Sequence, residues 1–216
     1  MTASANRVSR LPVLLVVSTL VLLGGCLSVG KAPSDHFYRL ELTAPDLRFD
    51  SSVLPGTIQV TRPSADALTG ERYLLYRENG QSMQVRHHPY HQWMDSPTLI
   101  IQQEIARYLR SSGLADHVVT PEHRARVDYL LSCRIAKFER VLDDSPRVVM
   151  ELEIGLTHMR TREPLLFQRY REEHPTRGKG VAASIEAYDQ ALAKILKRFV
   201  ADASNIPLTA KVEESH

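Results

Sequence analysis

The chain has 216 residues, with 27 lysines and arginines against 25 aspartates and glutamates, nine histidines and two cysteines, Cys26 and Cys133. That length suits one ordinary domain, and two cysteines so far apart exclude a disulfide-dense secreted scaffold. The net charge of +2 leaves no basic surplus for a nucleic-acid groove, so no nucleic-acid partner is expected.

Arg7 and Arg10 precede thirteen almost wholly apolar residues, Leu11 to Leu23, which end in Gly24-Gly25-Cys26. A run of that length is too short to span a bilayer about 30 Å thick as a helix, and it suits a signal peptide covering residues 1–25. Leu23-Gly24-Gly25-Cys26 resembles the bacterial lipobox. That resemblance implies a covalent lipid on Cys26 as the first residue of the mature chain, with two or three acyl chains giving firm attachment. Leu27 follows the cysteine where an aspartate would resemble an inner-membrane retention signal. The expected place is therefore the periplasmic face of the outer membrane of a Gram-negative bacterium, with residues 26–34 as an acylated tether. Removing residues 1–25 takes away both arginines and no acid, leaving 25 basic and 25 acidic residues. Attraction to a membrane then rests on the lipid and not on bulk charge.

His36 to Leu42 alternates, with Tyr38, Leu40 and Leu42 on one side and Phe37, Arg39 and Glu41 on the other, which predicts a half-buried strand. Ala44 to Gly56 reads as a loop, and Ile58 and Val60 as a short strand ended by Pro63. Two strand-like runs flank Asn79-Gly80, a tight hairpin signal. His87-His88-Pro89-Tyr90-His91 reads as the loop joining that hairpin to a helix. The helix starts near Pro97, is capped by Asp95 or Ser96, ends at Gly113 and carries the apolar stripe Ile101, Ile105, Tyr108 and Leu109. Val127 to Ile135 and Val148 to Leu156 alternate as long antiparallel neighbours, turned at Asp143-Asp144-Ser145-Pro146, and Leu165 to Tyr170 follows as a further strand. A last amphipathic helix runs from about Gly180 to Ala201, with Val181, Ile185, Tyr188, Leu192, Ile195, Leu196 and Phe199 facing the sheet. About seven strands and two main helices predict a single α+β domain over residues 35–203, its mixed or mainly antiparallel sheet covered by the helices. Residues 204–216 read as a flexible tail.

Chemistry is sparse. The histidines at 87, 88 and 91 point in different directions and lack a further ligand, so no metal is expected. Cys133 sits on the apolar side of its strand and reads as an inert thiol. The pairs Asp143-Asp144 and Glu172-Glu173 read as solvated charges, and Thr176-Arg177-Gly178-Lys179-Gly180 as a turn rather than a phosphate loop. No catalytic constellation and no cofactor beyond the Cys26 lipid are expected. Arg107, Arg110, Lys194, Lys197 and Arg198 read as solvated helix faces, with anionic headgroups as the alternative. Trp93 either packs against the helix that follows it or anchors an interface. Tyr90, Trp93, Arg107 and Arg110 are the candidate partner-interface residues.

Taken together, Cys26 in its lipobox, Phe37-Tyr38-Arg39-Leu40, Ile58-Gln59-Val60 with Pro63, Tyr90-His91-Gln92-Trp93 with Pro97, and Val181-Ala182-Ala183-Ser184 resemble the auxiliary lipoprotein family of ABC-type lipid or solvent transport systems, the PqiC-like group. Met94-Asp95-Ser96-Pro97 departs from the Ala-Glu-Pro that often follows the tryptophan in that family. The resemblance implies a noncatalytic component of an ABC/MCE-type intermembrane lipid transport system. Its partners would be an MCE-domain membrane protein with the associated permease and ATPase, outer-membrane lipids and a possible homo-oligomer, and its task would be docking a periplasmic tunnel to the outer membrane. Alternatives are a periplasmic lipid-binding module and an envelope-assembly lipoprotein with other partners.

Overall fold

The computed structural model describes residues 33–78, 83–178 and 180–207. The segment expected to be a signal peptide, Cys26 and most of the expected tether, Asn79-Gly80, Lys179 and residues 208–216 lie outside the described residues. The chain divides into two compact units, residues 1–34 and 35–216, and the fold below is that of the second.

In chain order the elements are β1 (His36–Tyr38), β2 (Leu54–Val60), β3 (Ser64–Ala65), the short helix α1 (Ala67–Gly70), β4 (Tyr73–Glu78), β5 (Arg86–Trp93), α2 (Pro97–Ser112), β6 (Ala115–Val119), a 3-10 turn (Pro121–His123), β7 (Tyr129–Leu142), β8 (Arg147–His158), β9 (Pro164–Pro175) and α3 (Val181–Ser204). The result is an α+β domain with one curled, mixed sheet of nine strands among the described residues.

The spine of the sheet is β7. Along nearly its whole length it pairs antiparallel with β8, which pairs antiparallel with β9. Its other edge is shared by three short parallel partners: Tyr129–Leu131 pair with β2, Arg134 and Ile135 with β3, and Glu139–Leu142 with β4. A strand of 14 residues twists enough that its two ends point in different directions, so no single short partner can follow it. Beyond these partners the sheet continues as two arms, β2-β6 at one end and β4-β5-β1 at the other. An irregularity between Ile135 and Lys137 inserts an extra residue. Leu131, Cys133 and Ile135 face the core before it, and Phe138 and Arg140 do so after it.

Helix α3 lies across β8 and β9, and its Tyr188, Leu192, Ile195, Leu196 and Phe199 are buried. The α2 stripe Ile101, Ile105, Tyr108 and Leu109 is buried as expected from its spacing. The opposite face of β7, β8 and β9 is wet and carries a cross-strand ion ladder. Glu153 lies between Arg134 and Arg169, and Glu151 between Arg169 and Arg171. Charged outward side chains along the edge strand β9 disfavour edge-to-edge pairing with another sheet.

Four expectations are corrected. His87 to His91 is not a loop but the middle of β5, paired at His87 with Leu75, because the strand after the turn starts at Arg86. The loop before β2 ends at Val53, with Pro55 and Gly56 inside an irregular stretch of the strand where Gly56 takes φ 111°. The first strand stops at Tyr38, although its alternation persists: Leu40 and Leu42 are buried while the Glu41 and Leu42 amides bond to helix side chains instead of a strand. Strands β3 and β6 were not expected. Ser96 is the α2 cap residue but makes no side-chain capping bond, since its hydroxyl lies 2.8 Å from the Arg62 guanidinium.

Candidate functional site

The arm β4-β5-β1 carries an exposed aromatic surface. Phe37 lies opposite Gln92 on β5, and Gln92 lies opposite Tyr73 on β4, so the three form one row. Phe37 is 52% exposed, with the Arg72 guanidinium 5.5 Å from its ring centre. Tyr73 stacks on His87 at 4.4 Å. Tyr90, which follows Pro89, is held at φ 62° and is exposed. A positive φ at a bulky residue is uncommon, and it sits where the β4-β5 register breaks between Tyr73 and Leu75. Phe37 and Tyr73 were absent from the nominated residues. The alternation had already put Phe37 on the polar side with Arg39 and Glu41, which was the available signal.

Trp93 is placed differently from an interface residue. It is 1% exposed, stacks on Phe138 at 4.9 Å and meets Tyr188 edge-on at 5.4 Å. It joins β5, β7 and α3, so the surface-anchor expectation is corrected: the alternation of β5 turns Trp93 inward while Gln92 faces out.

Beside this core the same face becomes polar. His36 stacks on His91 at 5.0 Å, and His91 Nδ1 shares a 2.9 Å hydrogen bond with the Tyr38 hydroxyl. Arg140, itself buried, donates to His88 Nε2 at 2.7 Å and to the Gly180 carbonyl at 3.1 Å. Burial, then the Arg140 charge and the neighbouring histidines, pushes the His88 imidazole down to about 4. It is therefore neutral at pH 7 and able to accept that bond. Among the described residues no group of three or more His, Cys, Asp or Glu is placed to hold a metal.

Arg107 and Arg110 have internal partners. Arg107 donates to the Leu42 carbonyl at 2.8 Å and pairs with Glu104, whose carboxylate accepts from the Leu42 amide. Together with Asp189, which accepts from the Glu41 amide at 2.9 Å, they fasten residues 39–42 across α2 and α3. Arg110 is exposed, and its Nε donates to the Val118 carbonyl at 2.8 Å, tying α2 to β6.

Burial pushes the Asp189 carboxyl up to about 6, against the lowering effect of the Glu41 amide and with Glu104 and Glu41 adding to the rise. The folded chain therefore keeps this proton up to about pH 6 while an unfolded aspartate releases it near 4, so the group's stabilising contribution is present below about pH 4 and lost as pH rises to 6. Asp189→Asn keeps an oxygen for the Glu41 amide. Discounting for solvent screening, it should stabilise the protein by about 1–2 kcal/mol at pH 7 and lose that advantage at pH 4, as measured by urea unfolding at both values. Equal stabilities at pH 7 would refute the strained carboxylate.

Elsewhere the sequence-nominated groups are structural. Burial raises the Cys133 thiol to about 12, which leaves it without nucleophilic character at neutral pH. Asp143 pairs with Arg147 in its turn. Glu172 and Glu173 point to opposite faces of β9, the first toward Arg198 and the second toward Arg147 and Arg171. Thr176 donates to the Pro146 carbonyl, and Lys197 pairs with Asp46.

Comparison with known proteins gave two informative structural neighbours. Protein XCC0632 from Xanthomonas campestris matches with a TM-score of 0.67 and 18% identity, over 76% of this chain and 92% of that one. A crystal structure of an uncharacterized protein matches with a TM-score of 0.63 and 14% identity, over 79% of this chain and 99% of that one. At these identities they share the fold. No curated protein sequence matched the chain. The family model for the ABC-type transport auxiliary lipoprotein component matches residues 38–200, from the end of β1 to the last turns of α3, and the chain belongs to that family.

Proposed function

We propose that this protein is a noncatalytic lipoprotein, held by a covalent lipid on Cys26 at the periplasmic face of the outer membrane, which docks an MCE-domain partner of an ABC-type lipid transport system. The observation that carries the docking role is the exposed aromatic row of Phe37 and Tyr73 with Tyr90 beside it, on the arm that starts the folded domain. Large aromatic side chains are enriched among the few residues that dominate binding energy at interfaces, and Arg72, whose Nε donates to the Trp93 carbonyl at 3.0 Å, sets a cation over Phe37. Ten residues lead from Cys26 to His36, so a lipidated cysteine keeps this arm within about 35 Å of the bilayer. Family membership supports a place in a transport assembly, and the lipobox-like run supports the anchor.

Two experiments test the reading. Cys26→Ser should abolish labelling with palmitate and move the protein from the membrane to the soluble fraction; labelling that persists would refute the anchor. A photocrosslinker placed at position 37 or 90 should join the protein to an MCE-domain protein in intact cells. Crosslinks from the α3 surface at Lys194 but none from positions 37 and 90 would remove the aromatic row as the docking surface.

A further inference from the structure

A cavity of about 540 Å³ opens at the other end of the sheet, where β7 begins, β8 ends and the β8-β9 turn closes over them. Its apolar part is formed by Pro55, Val127, Met159 and Leu165, and the ring of Tyr129 lies 5.4 Å from that of His158. The two loops at its mouth are joined by the Met159 amide, which donates to the Asp128 carbonyl at 2.8 Å, and the β8-β9 turn is closed on itself by the Arg162 amide, which donates to the His158 carbonyl at 2.8 Å.

Several arginines of the domain are neutralised in place by acidic neighbours. Arg77, Arg134, Arg147, Arg169, Arg171 and Arg198 all pair with carboxylates. Arg126 and Arg160, which line the cavity, have no hydrogen-bonding or ion-pair partner for their side chains among the described residues, and Arg124 and Arg162 on the same two loops are also exposed. Two carboxylates share the lining. Asp128 is engaged, accepting from the Thr57 amide at 2.9 Å, and Glu163 has an interaction of its own. With both carboxylates engaged, the Arg126 and Arg160 guanidinium groups are left open to a ligand. Guanidinium forks match phosphate and carboxylate oxygens, and an apolar lining beside them selects a ligand with a hydrocarbon portion.

We infer that this cavity binds an anionic amphiphile, its phosphate held by Arg126 and Arg160 and its hydrocarbon chain lying against Pro55, Val127, Met159 and Leu165. The volume falls within the range of small-ligand sites and suits a single-chain ligand better than one with two long tails. This site lies on a different arm of the sheet from the aromatic row, and it does not depend on the docking role.

The full-length protein in a nonionic detergent, titrated calorimetrically with octyl phosphate, octanol and inorganic phosphate, tests the assignment. Octyl phosphate should bind at least tenfold more tightly than octanol or inorganic phosphate. Arg126→Gln with Arg160→Gln should weaken it at least tenfold while leaving the thermal unfolding midpoint unchanged, as exposed side chains without partners predict. Leu165→Trp, which fills the apolar side, should weaken octyl phosphate but not the residual binding of inorganic phosphate. Unchanged octyl phosphate binding in the double variant would overturn the proposal by placing the binding in the micelle. Inorganic phosphate binding as tightly as octyl phosphate would overturn it by showing a free-phosphate site.

Discussion

Replacing Trp93 with alanine should destabilise the domain by about 3–5 kcal/mol, a large share of the roughly 5–15 kcal/mol that holds a domain folded. The indole is 1% exposed and contacts the rings of Phe138 on β7 and Tyr188 on α3, so truncation opens a cavity at a point where the β4-β5-β1 arm, the spine strand and the long helix meet. The stacked contact contributes beyond its buried area, and Trp93→Phe, which keeps a ring there, should cost less than half as much. Because Trp93 is the sole tryptophan, the measurement is urea unfolding followed by far-ultraviolet circular dichroism. A loss below about 1 kcal/mol would contradict the packing described, since core truncations of this size cost several times that.

Gly113→Ala should cost about 2–4 kcal/mol, read as a fall in Tm of roughly 5–10 °C. Gly113 ends α2 at φ 69°, where an L side chain is strained, and a Cβ there would stand 2.7 Å from the Phe49 carbonyl oxygen. The left-handed backbone alone costs about 1–2 kcal/mol. The remainder comes from displacing the segment around Phe49, whose amide donates to the Ser112 carbonyl at 2.9 Å. Gly178→Ala is the control: its Cβ would meet nothing within 4 Å and its φ is not positive, so its Tm should stay within about 2 °C of wild type, as surface substitutions do. Equal shifts for the two variants would show that loss of glycine flexibility, and not the clash, sets the effect.

The helices and the long strands were legible because their signals are local. In α2, Pro97 and Gly113 mark the ends and a 3.6-residue stripe marks the buried face, and each acts within a few residues of chain. The period of two in Tyr129–Ile135 and Val148–Leu156 likewise follows from one dry and one wet face. Cys133 was readable as inert for the same reason. Strands β3 and β6 escaped because they are short and exist through their partners: β3 is two residues seated against β7, and β6 is held by β2. The histidine run was read as a loop because Pro89 and the polar side chains weaken any strand signal, and its pairing comes from β4 across the turn and from β1, far away in sequence.

The candidate surfaces divide in the same way. Sequence alone determined the signal-like segment, the lipobox resemblance at Cys26, the α+β class and the inward stripes of the helices, since each depends on residue types at fixed local spacing. It also placed Phe37 on a wet side. Only the tertiary structure decided that Trp93 is core while Phe37, Tyr73 and Tyr90 form an exposed aromatic group, because that choice depends on which strand edges meet and on the register between them. Only the tertiary structure brought Arg126 and Arg160, 34 positions apart in the numbering, to one cavity. No local spacing encodes that meeting, since it follows from the antiparallel return of β8 along β7 and the backbone bond from Met159 to Asp128.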